Sequence, residues 1–316
     1  MAQSKDPRLV AVRISFCLDS GRPWPELADL ALHAEAVGLH RLYLCDHFMP
    51  HRTDGQPGSG PVLEVWSTLA ALAVTSHRVG LGTLVLGATY RHPTVVANMA
   101  ATLDHISRGR LILGLGAGWQ ANEHRAYGIP LPPAGPRLAQ FEEACYLIQA
   151  MLRGERPTFT GHYYVTVEAA CEPLPVQARL PILIGGGGER RTLRVAAQFA
   201  DEWHTWATPE EFRRKGAILD RHCVDVGRDP TGVRRLTGQA VQIIPIAASA
   251  ATASGGGSDI VGSADRVAAH LAGYQEAKVD EFIIRDNAST PLIQARDQLS
   301  LLAADVLPRL EVPHLG

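Results

Sequence analysis

Two hydrophobic patterns alternate along almost the whole chain: short continuous apolar runs, and stretches in which apolar residues recur every three or four positions. Runs such as VGLGTLVL at 79–86 and LILGL at 111–115 suit strands covered on both faces. Between them Val95, Val96, Met99, Leu103 and Ile106 have helical spacing over 94–107. The same reading predicts strands at 9–17, 40–45, 181–184, 236–246 and 281–285, with an extended stretch at 201–206. Helices are predicted at 25–36, 62–74, 138–152, 191–199, 210–226 and 264–277, and a last segment at 292–307. Residues 48–61 and the proline-rich 130–136 are too polar or too broken for core, and 158–164 suits a small hairpin outside the main sheet. The Ala, Ser, Gly and Thr tract at 249–258 reads as a flexible loop. About eight strand–helix units in a row predict an α/β fold with parallel strands, a single (β/α)8 TIM-type barrel over 1–316 with insertions in the loops at its C-terminal face.

Composition narrows the function. The chain has 316 residues, 46% of them hydrophobic, and a formal net charge of −2. No broad basic field for nucleic acid is present. Lys5, Lys215 and Lys278 are the only lysines; the other basic residues are arginines spread along the chain, as expected of a GC-rich genome. Cys17, Cys45, Cys145, Cys171 and Cys223 form no CxxC pair and read as buried thiols, not a disulfide framework or zinc site. The start MAQSKDPR lacks an apolar signal core and no apolar run has membrane-spanning length, so a cytoplasmic protein is expected. There is no HExxH and no GxSxG, and a metal site is not expected.

Four constellations carry candidate chemistry. Asp46-His47 lies where the second strand gives way to a loop, the catalytic face of a barrel. A histidine there can exchange a proton near neutral pH, although a loop cap by Asp46 with His47 merely packed accounts for the pair as well. Gly82-Thr83-Leu84-Val85 reads, on its own, as ordinary buried strand. In GAGWQANEH, Gly116 and Gly118 let a ligand approach the backbone, Trp119 can wall a substrate space and Asn122 can contact a cofactor. Glu123 and His124 are candidates for catalysis or for capping a short helix. Finally, Gly185, Gly186, Gly187 and Gly188 run from a strand toward Arg190, Arg191 and Thr192. Free amides, a helix N-terminus and arginine make an anion site, and the alternative is a flexible loop with solvent-facing arginines. The run is not GxGxxG and lies deep in the chain, against a Rossmann site.

Asp46-His47-Phe48, LGTLV with YRHP after it, ATLDHISRGR, and GLGAGW followed by EH and YG together resemble the bacterial luciferase-like monooxygenase superfamily. Within it the chain is most similar to the branch of coenzyme F420-dependent oxidoreductases. The likeness runs through residues 10–230 and returns weakly in VGSADRVAAHLAGY. It implies a barrel that holds a flavin or deazaflavin at its mouth, most simply coenzyme F420. It also implies His47 as acid/base beside the redox ring, with Asp46 orienting it or meeting the cofactor. A bulge at a non-prolyl cis peptide near Leu84-Val85 would back the ring, with Thr83, Leu84 and Val85 at the cofactor, Asn122 would meet the ribityl chain, and the Gly185–Gly188 run with Arg191 would hold the phosphate. Some F420-dependent relatives place a catalytic glutamate where this chain has Trp119, which puts their particular substrate in doubt here. A homodimer is implied, with a flavin or F420 reductase as a further partner where reduced cofactor must be supplied.

The expected activity is hydride transfer between F420 and a small organic substrate. One rival is an FMN-dependent two-component monooxygenase of the same fold, which uses reduced FMN and O2. Another is a non-catalytic flavin-binding protein, against which the polar pairs Asp46-His47 and Glu123-His124 weigh. A barrel lyase or isomerase acting on a phosphorylated substrate would need a strand lysine or carboxylate base and fits three lysines badly. His204 stays unassigned.

Overall fold

In the computed structural model, which describes residues 12–52, 54, 56–244 and 259–310, eight parallel staves close into a barrel. In chain order these are β1 (Arg13–Leu18), β2 (Arg41–Leu44), β3 (Gly80–Thr83) continued by β4 (Leu86–Gly87), β5 (Leu111–Gly116), β8 (Ile182–Gly185), β9 (Glu202–His204), β10 (Arg234–Gln239) and β13 (Glu281–Arg285). Each stave pairs with the next, and Arg13↔Glu281 through Cys17↔Arg285 closes the ring. The antiparallel β6 (Phe159–Thr160) and β7 (Val165–Thr166) form the expected hairpin outside the barrel. The predicted strand at 236–246 is two strands, because only β10 stays in the barrel. After Ala240 the chain leaves to pair β11 (Val241–Ile243) with β12 (Ile260–Gly262). The predicted loop at 249–258, and residues 9–11 of the first predicted strand, lie outside the described residues.

Helices wrap the barrel: α1 (Trp24–Ala36), α2 (Val65–Thr75), α3 (Pro93–Ser107), α4 (Ala121–Ala126), α5 (Ala134–Leu152), α6 (Thr192–Phe199), α7 (Pro209–Asp225), α8 (Ala264–Glu276), α9 (Leu292–Leu301) and α10 (Leu307–Leu310). Two starts differ from the sequence pattern for a local reason. The carboxylate of Glu64 accepts from the amides of Trp66 and Ser67, so α2 begins at Val65 and not at 62. Helix α5 takes in Ala134 to Pro136 of the supposed proline-rich loop, since Pro136 sits in a first turn, where a missing N–H costs nothing. Among the described residues no helix is long and apolar enough to cross a membrane.

The barrel interior changes character along its axis. Its middle is apolar, built by Tyr43, Leu84, Ile112, Leu183, Leu236 and Ile283. Its N-terminal end is closed by charge. Arg41 donates to Glu202 at 2.7 and 3.0 Å and to Glu281 at 2.9 Å, and Arg234 reaches both carboxylates. Ser15 and Tyr43 donate to the other oxygen of Glu281. Arg41, Glu202, Arg234 and Glu281 each start a strand, and Ser15 and Tyr43 lie two residues into theirs, so the layer ties β1, β2, β9, β10 and β13 together. Desolvated charges tolerate this only because they are paired and hydrogen-bonded.

Candidate active site

The C-terminal end of the barrel opens into a cleft of about 390 Å³. That size falls within the range of small-molecule sites. Asp46, His47, Leu84, Val85, Tyr90, Gly116, Gly118, Trp119, Arg137, Gly185, Gly186, Thr192, His204 and Trp206 all line it. The sequence segments far apart at 46–47, 84–85, 116–119 and 185–186 therefore converge on one space.

The floor is the Leu84-Val85 bulge. The peptide bond between these residues is cis, as the resemblance implies, and it interrupts β3 and β4. Val85 fits there because its neighbours are glycines. A Cβ on Gly116 would stand 2.5 Å from a Val85 methyl, one on Gly185 2.8 Å, and one on Gly114 only 1.9 Å from the Thr83 carbonyl oxygen. Gly114, Gly116 and Gly185 thus make room for the bulge, while Gly116 and Gly185 also line the cleft. Thr83, expected at the cofactor, is fully buried, and its hydroxyl exchanges hydrogen bonds with the backbone of Gly114.

His47 stands at the rim, about a quarter exposed. Its Nδ1–H donates to Glu123 across 2.8 Å, which leaves Nε2 for the cleft. The Glu123 carboxylate is fully buried and also accepts from the Phe48 amide at 2.9 Å and from the Tyr90 hydroxyl. Burial alone would raise its pKa, yet these donors hold it below the ordinary value. Burial likewise pulls His47 down, but the bond to Glu123 and its charge outweigh that and leave His47 above its ordinary value. Glu123 thus sits behind His47, bonded to it, and not in the cleft lining. Asp46 is held similarly. Arg91 donates to both of its oxygens at 2.7 and 3.1 Å, and the Gly87 amide donates at 2.9 Å. Burial pushes the Asp46 pKa up, and Arg91 offsets only part of that. Tyr90 and Arg91 were missed as site residues, though both follow directly on the strand end that leads into YRHP.

Other expected contacts lie elsewhere. Asn122 is buried beneath the 48–50 loop, where its amide donates to the Pro50 carbonyl at 3.2 Å, and it does not line the cleft. His124 is buried too, donating from Nδ1 to the Gln120 carbonyl and accepting from Thr89. Arg191 spends a guanidinium N–H on the carbonyl of Gly135 at 2.7 Å, joining the first turns of α6 and α5. Gly187 and Gly188 continue from the cleft beyond its lining, and Lys215 donates to the Gly187 carbonyl at 2.8 Å.

Two cleft residues hold polar atoms that are buried and lack a hydrogen-bond partner among the described residues: Arg137 at Nε and His204 at Nε2. Burial drives the His204 pKa down to about 3, so its imidazole is neutral. His204, unassigned in the sequence, reaches the mouth through the β8–β9 pairing, and Arg137, which did not stand out there, is brought to it by helix α5.

Solved structures share this fold. An F420-dependent secondary alcohol dehydrogenase in complex with an F420–acetone adduct superposes with a TM-score of 0.81 at 18% identity, over 96% of this chain and 100% of that one. The oxygenating constituent of 3,6-diketocamphane monooxygenase from Pseudomonas putida, in complex with FMN, gives 0.74 at 15% identity over 96% and 100%. In sequence, the F420-dependent glucose-6-phosphate dehydrogenase of Nakamurella multipartita is 40% identical over 181 residues, 57% of this chain and 51% of that protein. That of Microbacterium testaceum is 37% identical over 193 residues, 60% and 55%. The chain thus spans about half the length of these curated relatives. The sequence model of the luciferase-like monooxygenases matches residues 10–254, and the chain belongs to that family.

Proposed function

We propose that the protein is an oxidoreductase that moves a hydride between coenzyme F420 and a small organic molecule, with His47 exchanging the accompanying proton. The observation that carries this reading is the meeting of an oriented imidazole, His47 on Glu123, with the Leu84-Val85 floor in one cleft. The similarity of the chain to F420-dependent dehydrogenases supports the choice of cofactor.

The residues present fit a flat ring with an anionic tail. Val85 and Leu84 offer an apolar surface, and Arg137 Nε and His204 Nε2 are buried polar atoms in want of a partner. Thr192 and the start of α6, which has no side-chain cap, lie at the glycine-run end and suit a phosphate. When bound, F420 supplies a ring carbon that accepts or gives a hydride. The protein does the rest. His47 takes the proton from a substrate hydroxyl as the neighbouring carbon gives up hydride, or returns it to a carbonyl in the reverse direction. Glu123 stabilises the protonated imidazole and fixes its tautomer. The floor excludes water from one face.

Titration of the purified protein with oxidised F420 and with FMN, followed by calorimetry, tests this. Tight F420 and weak FMN binding is expected. The reverse result supports a monooxygenase using reduced FMN and O2, and binding of neither overturns the cofactor site. Light scattering checks the homodimer that we expect from the family.

A further inference from the structure

Two indoles stand in the cleft wall, and they bear on what is oxidised or reduced there. The glycine run after β8 lies between them in barrel order, Trp119 following β5 and Trp206 following β9. Arg137, one turn into α5, is the arginine of the lining among the described residues, and Lys215 is occupied by the Gly187 carbonyl and by Glu189 and Glu211. Trp119 is 56% exposed and Trp206 42%, yet both line the cleft.

Each indole is held and not merely left in solvent. Trp119 meets His47 edge-on at 5.6 Å and His51 at 4.7 Å. Trp206 meets His204 edge-on at 4.5 Å, and the Arg285 guanidinium lies over its ring at 5.4 Å. Trp206 can lie across the end of β10 because residue 238 is glycine, where a Cβ would stand 2.8 Å from the ring. A large apolar side chain kept partly open inside a concave polar site signals a ligand surface. No lysine lines the cleft, and Arg285 is engaged with Trp206 and with Asp259 at 3.8 Å.

We propose that the substrate is a flat, apolar alcohol or ketone, aromatic in character, held by Trp119 and Trp206, and not a sugar phosphate. The inference rests on the hydride-transfer reading above and names its substrate class. Trp119 and Trp206 are specificity residues; His47 is the group that meets the reacting hydroxyl. A sugar phosphate would bring two negative charges to a cleft in which Arg137, the arginine of the lining among the described residues, already serves the cofactor's phosphate. An aryl ring instead replaces water on both indoles and brings its carbinol oxygen to His47.

The test uses the full chain and calorimetry, so that removing tryptophan does not remove the signal. The probes are 1-(2-naphthyl)ethanol, 2-acetonaphthone and glucose 6-phosphate, each with the protein loaded with F420 and without it. Naphthyl probes are expected to bind at least tenfold more tightly than glucose 6-phosphate. Trp206→Ala and Trp119→Ala are each expected to raise the naphthyl Kd tenfold or more, and Trp206→Phe less than threefold, while the F420 Kd stays within twofold. In turnover the alanine variants raise KM for the naphthyl alcohol by a larger factor than they lower kcat. Glucose 6-phosphate binding as tightly as the naphthyl probes, or naphthyl Kd values unchanged in both alanine variants, would overturn the proposal. Loss of F420 binding alone strikes the cofactor reading, since the cofactor-free titrations still read out the indole walls.

Discussion

His47 and Glu123 form an ion pair in which one partner faces the cleft and the other is sealed from solvent, with 2.8 Å between Nδ1 and the carboxylate. Because this raises the His47 pKa, the stabilisation that it contributes is fully present below 6.5, the unfolded value, and is lost as pH rises through the raised folded value. Glu123→Gln removes the charge and keeps the shape. It should shift the His47 titration midpoint to lower pH in an NMR titration and move the matching limb of the pH–rate profile the same way. An unchanged midpoint would mean that Glu123 does not set it.

The notch around Val85 predicts coupling. Gly116→Ala should destabilise by about 1–3 kcal/mol through overpacking. In a Val85→Ala background that cost should fall by roughly 1 kcal/mol, since the methyl that the new Cβ meets is gone. A denaturant-based double-mutant cycle measures the term, and strict additivity would contradict the contact.

His204 makes an acid-sensitive element. Its folded pKa lies at about 3, below the ordinary 6.5, so the stability that it contributes is present above 6.5 and is lost as pH falls toward the folded value. The loss is about 1.4 kcal/mol per pH unit for a group fully neutral in the fold. His204→Gln should flatten the stability profile between pH 7 and 5 by about that slope. His40, held down to about 4 chiefly by burial, keeps a remaining slope in the variant.

Arg41 holds two buried carboxylates at the base of the barrel. Arg41→Met should cost about 3–5 kcal/mol by leaving Glu202 and Glu281 short of a partner. Arg41→Met with Glu202→Gln and Glu281→Gln should recover most of that loss in urea denaturation.

Arg137 is the cation in the cleft lining, with a buried Nε to spare. Arg137→Ala should weaken F420 binding by about tenfold, or ~1.4 kcal/mol, and weaken FMN binding in proportion because both carry a phosphate. Calorimetry with inorganic phosphate as competitor reads the same site.

Much of the architecture was present in local pattern. Apolar runs at 79–86 and 111–115 became β3–β4 and β5, and 281–285 became β13, because strands buried on both faces need nearly every residue to be apolar. The positions of Asp46, His47 and Trp119 at the mouth were also readable, since they follow strand ends and parallel barrels put all such ends on one face, whereas Leu84 and Val85 were placed there only by the family resemblance.

Tertiary structure decided what each residue does there. Glu123 and Asn122 are neighbours in sequence, yet one locks His47 and the other pins the 48–50 loop, because α4 turns them toward different partners. Gly116 and Gly185 serve Val85 as much as any ligand, a fact set by a methyl group from another strand. Arg41, Glu202 and Glu281 stand far apart in sequence as three unremarked charges and become one buried network only when the barrel closes. Sequence by itself determined which segments are buried and in what order they alternate, because periodicity is local. Pairings across the barrel set pKa values, seal carboxylates and open the cleft, and those depend on distances that only the closed ring creates.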